Sequence, residues 1–383
     1  MTVSATDVDV ISALAAVAPD SALAALRAQR PEAMRHAQGS YRALFEPASP
    51  GGLTLAERFA VAEHVARLHS ADEVAAHYAS GLASAADTAA PSSRRDALVR
   101  HADLLSTRPS DAGPDDLQQL ADVGLSTRDI VSLSQLIAFV AFQVRVTAGL
   151  RVLGGAGSAG SVAPVAPAPA RAAAVQPVQQ DPPARILRPA PDLRRPSAFT
   201  VEQLEWTPWL EPLDLAHADS KQAAALEGSR GNSPYFRLLA LDVDVLVERT
   251  ATDRGIFYTP GGAPRQDREL SAAATSRLNG CIYCTSVHAR LAAQLSKRGD
   301  AVDRMLQRGV QAGTELDLGD RWQAIVDLAV ALAPTPPSLA ARHVERLREL
   351  GLAELEILDV IQAGAFFAWA NRLMLTLGEP YVP

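Results

Sequence analysis

Residues 268–288 read Arg268-Glu-Leu-Ser-Ala-Ala-Ala-Thr-Ser-Arg-Leu-Asn-Gly-Cys-Ile-Tyr-Cys-Thr-Ser-Val-His288. The Ala-rich run from Glu269 to Arg277 predicts a helix. Asn279-Gly280 predicts its end, because both residues tolerate turn conformations that others avoid. A second helix is then predicted to start at or near Cys281. No run of alternating apolar and polar residues bounded by turns is long enough to predict a sheet. The reading is an all-α fold.

The same pattern extends outward. Leu117-Gln-Gln-Leu120 leads into Gly124-Leu125 and a long apolar stretch to Leu153. Val344, Leu347 and Leu350 lead into Gly351-Leu352 and a similar stretch to Leu377. Both stretches repeat apolar residues at three- and four-residue intervals, and each glycine falls where a left-handed helix cap is expected. They align without gaps: Ile130 with Ile357, Gln135 with Gln362, Ala138-Phe139 with Ala365-Phe366, and Arg145 with Arg372. That many identities in one register predict an internal duplication.

Between the two stretches the composition changes. Of the 46 residues 153–198, 25 are Ala, Pro or Gly, nine of them Pro. Such a run favours extended, polyproline-like chain and predicts a semi-rigid, largely disordered linker. The expected organisation is residues 1–152, a linker at 153–198, and residues 199–383, consistent with the two or three domains that 383 residues allow.

Composition narrows the function. Aromatic residues make up 5% and charged residues 21% of the chain, with a net charge of −7. No dense Lys/Arg run appears, so nucleic acid is not an expected partner. The first 20 residues hold three Asp and no Lys or Arg, which gives no basic lead-in to a signal peptide. The uncharged stretch Ile130 to Val144 is too short for a spanning helix of about 20 residues. No membrane association is expected and the expected location is cytoplasmic. The two cysteines, Cys281 and Cys284, form one C-x-x-C, which excludes a disulfide-dense secreted scaffold.

That pair is the candidate site. A helix N-terminus favours thiolate over thiol through its free N–H groups and partial positive charge. Cys281 and Cys284 share one helix face, and His288 stands one turn above Cys284. His288 can take the Cys284 proton or hold the thiolate as an ion pair. Glu269, on the preceding helix, can accept a proton through His288 or a water if the helices fold back on each other. Two other readings stand beside this dithiol with a proton relay. The cysteines could be small buried hydrophobes. They could also be zinc ligands with His288, although no second Cys/His pair exists to complete the site, so no metal is expected.

Glu269 followed by Cys281-x-x-Cys284-x-x-x-His288 resembles the motif of the alkylhydroperoxidase D-like branch of the carboxymuconolactone decarboxylase-like superfamily. The stretch Ser276 to Arg290 is similar to its peroxidase-related subgroup, as are Leu204-Glu-Trp-Thr-Pro-Trp209 and Ser233-Pro-Tyr-Phe-Arg-Leu-Leu239. The resemblance covers about 199–383, and residues 1–152 resemble the superfamily more weakly. It implies two all-helical domains and a homo-oligomer. It also implies a peroxidase that reduces organic or hydrogen peroxide, with Cys284 oxidised to a sulfenic acid and Cys281 closing a disulfide. Glu269 and His288 would form the relay. No cofactor is implied; the electron donor would be an external dithiol, of thioredoxin or lipoyl type. Family members carry His between the cysteines where this chain has Tyr283, which leaves Glu269–His288 as a shorter relay. A carboxymuconolactone decarboxylase-like lyase and a non-enzymatic disulfide sensor are the alternatives.

Residues 1–152 contain no cysteine. Thr54-Leu-Ala-Glu-Arg58 resembles Arg268-Glu269-Leu270. Counting from Glu57 as from Glu269 puts His69 and Asp72 at the cysteine positions and Ala76 at that of His288, with His77 beside it. His64, His69 and His77 then read as packing or surface residues, and this half as a copy that has lost its site.

Overall fold

The helix–break–helix around Asn279-Gly280 is present in the computed structural model, which describes residues 9–85, 91–155 and 181–383. Before the proline-rich stretch run α1 (Val10–Leu14), α2 (Ala22–Arg27), α3 (Pro31–Phe45), α4 (Leu55–Leu68), α5 (Asp72–Ser84), α6 (Ser92–Thr107), α7 (Pro114–Asp122) and α8 (Thr127–Leu153). After it run α9 (Ser220–Ala225), α10 (Pro234–Leu239), α11 (Val243–Phe257), α12 (Arg265–Leu278), α13 (Ile282–Ser296), α14 (Gly299–Arg308), α15 (Asp320–Leu332), α16 (Ala341–Glu349) and α17 (Glu354–Thr376). The fold is all-α apart from one small addition. Strands β1 (Glu205–Pro208) and β2 (Gly378–Tyr381) pair antiparallel, Glu205 opposite Tyr381. Four-residue strands show no readable alternation, so this pair escaped the sequence reading.

Local sequence explains the helix ends. Thr54 and Glu57 form a reciprocal capping box at α4, as Ser126 and Asp129 do at α8. Gly124 (φ +86°) and Gly351 (φ +81°) follow α7 and α16 in the left-handed conformation that a side chain would resist. Helices α8 and α17 are apolar all round, so they are buried all round and form the core. By length and composition α8 alone among the described residues could cross a membrane, but 83% of its most apolar window is buried inside the protein.

The predicted repeat is visible in the packing. Helix α4 packs on α5, α6 and α8, and α12 packs on α13, α15 and α17. Helix α7 lies against α6 as α16 lies against α15. The two sets meet where α3 crosses α11 and where α8 crosses α17. The crossing of α3 and α11 is close: a Cβ on Gly255 would stand 2.4 Å from the Ala33 backbone nitrogen. At the α8–α17 crossing, Phe139, Phe142, Phe366 and Trp369 interlock, with Phe139 and Trp369 edge to face at 5.3 Å.

Polar contacts across this junction are reciprocal. Arg145 of α8 donates to the carbonyls of Ala333 and Pro334 at the end of α15. Arg372, its counterpart in α17, donates to the carbonyl of Ser106 at the end of α6. Each guanidinium thus meets the negative end of a helix in the other set. Arg30 and Asp242, the residues preceding α3 and α11, also reach across: Arg30 to Asp359 of α17, and Asp242 to Ser132 of α8.

Residues 156–180, the centre of the predicted linker, lie outside the described residues. Residues 181–198 run as extended chain. The Ala184 N–H donates to Leu125 O, Ile186 bridges to Leu210, and the Leu187 N–H donates to Trp209 O. This strip therefore touches both helix sets.

Candidate active site

Helix α12 ends at Leu278, and Asn279 and Gly280 turn the chain back. Gly280 has φ +78°, which favours glycine. Cys281 caps α13, and its carbonyl accepts from both the N–H and the hydroxyl of Thr285. Helices α12 and α13 therefore pack side by side, and Glu269 comes to face His288.

Glu269 is fully buried, and its carboxylate has two partners. Arg265, one turn earlier, donates to Oε1 at 2.5 Å. His288 approaches Oε2 through Nδ1 at 2.5 Å. Because a carboxylate only accepts, Nδ1 carries the hydrogen of this bond, which leaves Nε2 as the ring nitrogen turned away from Glu269. Burial pushes the Glu269 carboxyl up, but the hydrogen bonds and charges of His288 and Arg265 outweigh it and hold it below the usual carboxylate range. The imidazole is seated between Phe367, at 4.1 Å between ring centres, and Phe257, at 6.0 Å.

Both cysteines are reduced and buried, Cys281 at 1% and Cys284 at 5% exposure. The Cys281 thiol lies within hydrogen-bond reach of Cys284 and of Asn371 on α17. Burial, together with the hydrogen bond and charge of Cys284, pushes the Cys281 thiol well up, so Cys281 stays protonated. Asn371 also ties down the end of α12, accepting from Asn279 and donating to Ser276. Tyr283 occupies the position between the cysteines; burial and then Cys284 push its phenol up to about 12, so it stays neutral.

Glu269 and His288 thus meet at the α12–α13 junction, and Cys281 and Cys284 meet at the start of α13. Zinc would need three ligands to converge, and among the described residues no group of three His, Cys, Asp or Glu does so. Residues 245–315 match the sequence model of the carboxymuconolactone decarboxylase family. Over this segment the chain is similar to that family. The match is narrower than the 199–383 expected and spans the site in full. Among solved structures, the chain is similar to a peroxidase-related protein with an alkylhydroperoxidase AhpD core from Ralstonia eutropha. That likeness has 23% identity and a TM-score of 0.35 and covers 42% of this chain and 84% of the other. No curated protein matches the chain.

The register expected for the first half is corrected by the helix caps. Thr54 caps α4 as Pro264 caps α12, and Ala71 caps α5 as Cys281 caps α13, a shift of 210 in both pairs. The family site therefore maps onto Phe59, Ala71, Val74 and Tyr78, not onto Glu57, His69, Asp72 and Ala76. The error lies in the starting pair: Glu57 matches Glu269 in residue type, but the caps place Glu57 opposite Asp267 and Arg58 opposite Arg268. Apolar side chains fill the place of the relay. Phe45 stacks on Phe59 at 5.2 Å and on Tyr78 at 4.8 Å, and the Tyr78 hydroxyl donates to Gln143. His69 is a buried packing residue held by Val65 O and Arg145, and His77 meets Tyr41. His64 pairs with Asp103 near the surface.

Sequence reasoning missed several groups at the true site. Arg265 was signalled by its four-residue spacing from Glu269. Asn371 comes from the far end of the chain and has no local signal. The third omission is a polar cluster formed by α10 and α11. Arg249 lies 5.7 Å from the Tyr235 ring centre, 5.1 Å from that of Phe366 and 5.9 Å from that of Trp369. Asp253 stands one turn beyond Arg249 on α11.

Proposed function

We propose that this protein is a thiol-dependent peroxidase acting on organic or hydrogen peroxide. One observation supports the reading: His288, paired with the fully buried Glu269, stands one turn above Cys284, with Cys281 within hydrogen-bond reach of Cys284. In the proposed cycle His288 Nε2 takes the Cys284 proton and Glu269 stabilises the resulting imidazolium. The thiolate attacks one peroxide oxygen. The S–O bond forms, the O–O bond breaks, and the leaving oxygen takes the proton back from His288. Cys284 is now a sulfenic acid. Cys281 sulfur displaces its hydroxyl, which leaves as water with the Cys281 proton, and a disulfide closes. An external dithiol, of thioredoxin or lipoyl type, reduces that disulfide by exchange.

In this reading residues 199–383 are the active domain and 153–198 the tether. Residues 1–152 are a superfamily domain without its chemistry. It takes the place that a second subunit would occupy, consistent with the reciprocal contacts of Arg145 and Arg372. Assembly of whole chains into homo-oligomers and a cytoplasmic location belong to the same proposal.

The test follows peroxide consumption with excess dithiol for wild type, Cys284→Ser and Cys281→Ser. The reading expects turnover only in wild type, and a single oxidation per chain in Cys281→Ser. Turnover that survives Cys284→Ser refutes it. A wild-type protein oxidised once and not recycled by dithiols is a sensor instead.

A further inference from the structure

The proposed cycle uses the α12–α13 side of the site and leaves the α10–α11 side without a role. That side holds two buried donor atoms without a hydrogen-bond partner among the described residues, the Tyr235 hydroxyl and Arg249 Nε. The Tyr235 hydroxyl is buried and, among the described residues, makes no hydrogen bond. Arg249 is 6% exposed, its Nε is unpartnered, and its guanidinium stands among the rings of Tyr235, Phe366 and Trp369. A buried hydroxyl or guanidinium left unpaired costs free energy, so such groups in a reactive site point to an absent ligand. Tyr235 lies within electrostatic range of the thiols, and Arg249 stands beside its ring. Tyr235 is in electrostatic contact with Arg249, Cys284 and Cys281, and Asp253 with Arg249, His288 and Glu269.

The half without cysteines supplies a second observation. Helices α3 and α11 end at Phe45 and Phe257, and their preceding residues Arg30 and Asp242 make the reciprocal contacts described above. In that register Ala37 stands at the position of Arg249 and Tyr41 at that of Asp253. Where the thiols and relay are replaced, Arg249 and Asp253 are replaced too. A guanidinium serving only to pack α3 against α11 would have no reason to vanish with the cysteines.

We infer that Arg249 and Tyr235 are the donors that hold the hydroperoxide against Cys284 and receive negative charge on its leaving oxygen. The inference rests on the peroxidase reading and adds the substrate-binding wall to it. As the thiolate bonds to one oxygen and the O–O bond opens, the electron pair goes to the second oxygen. Arg249 N–H and Tyr235 O–H hydrogen-bond to that oxygen until His288 delivers the proton. These donors are fixed in a water-poor site before reaction, where they act most strongly.

The experiment measures two rates on the reduced full-length chain: oxidation of Cys284 by tert-butyl hydroperoxide, and its alkylation by iodoacetamide, which needs the thiolate but no oxygen donor. Tyr235→Phe is the decisive variant. It deletes a hydroxyl that has no partner, so a purely structural role expects unchanged or raised stability and an unchanged peroxide rate. The inference expects the peroxide rate to fall about 10-fold, with alkylation within about threefold of wild type. Arg249→Met is expected to fall about 100-fold in the same selective way, the scale of one lost oxyanion donor. Arg249→Lys, which keeps the charge in the core, is expected to fall between the two. Unchanged peroxide rates in folded Tyr235→Phe and Arg249→Lys overturn the inference, as does an equal loss in both reactions. If wild-type Cys284 reacts with the peroxide no faster than a free thiol, the peroxidase reading itself fails.

Discussion

Arg30 belongs to the half without cysteines, yet its main partner lies beside α12. Its Nε and Nη2 donate to the two Asp359 oxygens at 2.6 and 2.8 Å. Asp359 also accepts from Arg268 and from the Ala263 N–H, each at 2.9 Å, and is fully buried. Arg30 and Arg268 both donate to Gly261 O. The cluster thus pins the connection that leads into α12 and sets where Glu269 begins its approach to His288. Removing one member of a buried ion pair costs about 3–5 kcal/mol. Because Arg268 remains on Asp359, Arg30→Ala is expected at the low end, about 3 kcal/mol. At about 2 °C per kcal/mol, Tm should fall by about 6 °C. The assay is thermal and urea unfolding of wild type, Arg30→Ala, Asp359→Asn and the double variant. Asp359→Asn leaves two buried guanidinium groups facing a neutral side chain, and Arg30→Ala relieves part of that. The double variant should therefore be more stable than the sum of the two losses predicts, by about 2 kcal/mol. Additivity within about 0.5 kcal/mol would show that the contact across the halves does not couple them.

Other outcomes follow from the site and the core. Glu269→Gln keeps the shape but removes the charge that orients His288, so the rate of Cys284 oxidation should drop about 100-fold, within the range of lost general acid–base help. Glu269 is held below its unfolded pKa of about 4.3, so its contribution is present above that pH and is lost as pH falls through the folded value. Glu269→Gln should therefore flatten the acid limb of a Tm–pH curve below about pH 4.3; an unchanged limb contradicts this. Cys281, with its raised pKa, should alkylate after Cys284 at pH 7, as peptide mapping would show, and a dimedone adduct should accumulate on Cys284 only in Cys281→Ser. His101 is pushed down to about 3 by burial, and His69 is pushed well down by burial and then by Arg145 and Arg372. Both favour the fold above their unfolded pKa of about 6.5 and lose that support as pH falls towards the folded values. Stability should drop by up to about 1.4 kcal/mol per pH unit for each below about pH 6. His101→Gln should lessen the slope between pH 6 and 4, measured by urea titration, and an unaltered slope would show that His101 is already charged in the fold.

Much of the site was legible along the chain because its residues are local. Asn279-Gly280 marks the break whatever surrounds it, since only a few residue types accept that turn. Cys281, Cys284 and His288 fall on one face because a helix repeats every 3.6 residues. The apolar stretches ending at Leu153 and Leu377 announced the repeat by identity in a fixed register. The position of the lost site in the first half was misread because Glu57 matches Glu269 in residue type while the helix caps pair it with Asp267. Only the helix caps at Ala71 and Cys281 restore it.

The amino-acid sequence by itself determined the helices, the break and the placing of the two cysteines and His288 on one helix. Each of these depends on propensity and periodicity over one or two turns. The tertiary structure alone decided what meets that pair. Glu269 faces His288 because α12 and α13 pack side by side. Asn371 arrives from α17, far along the chain, and Arg249 and Tyr235 from α11 and α10. Arg30 reaches Asp359 across more than 300 residues, through a junction formed by helices of both halves. Such contacts depend on which faces exclude water from one another, and no local pattern records that choice.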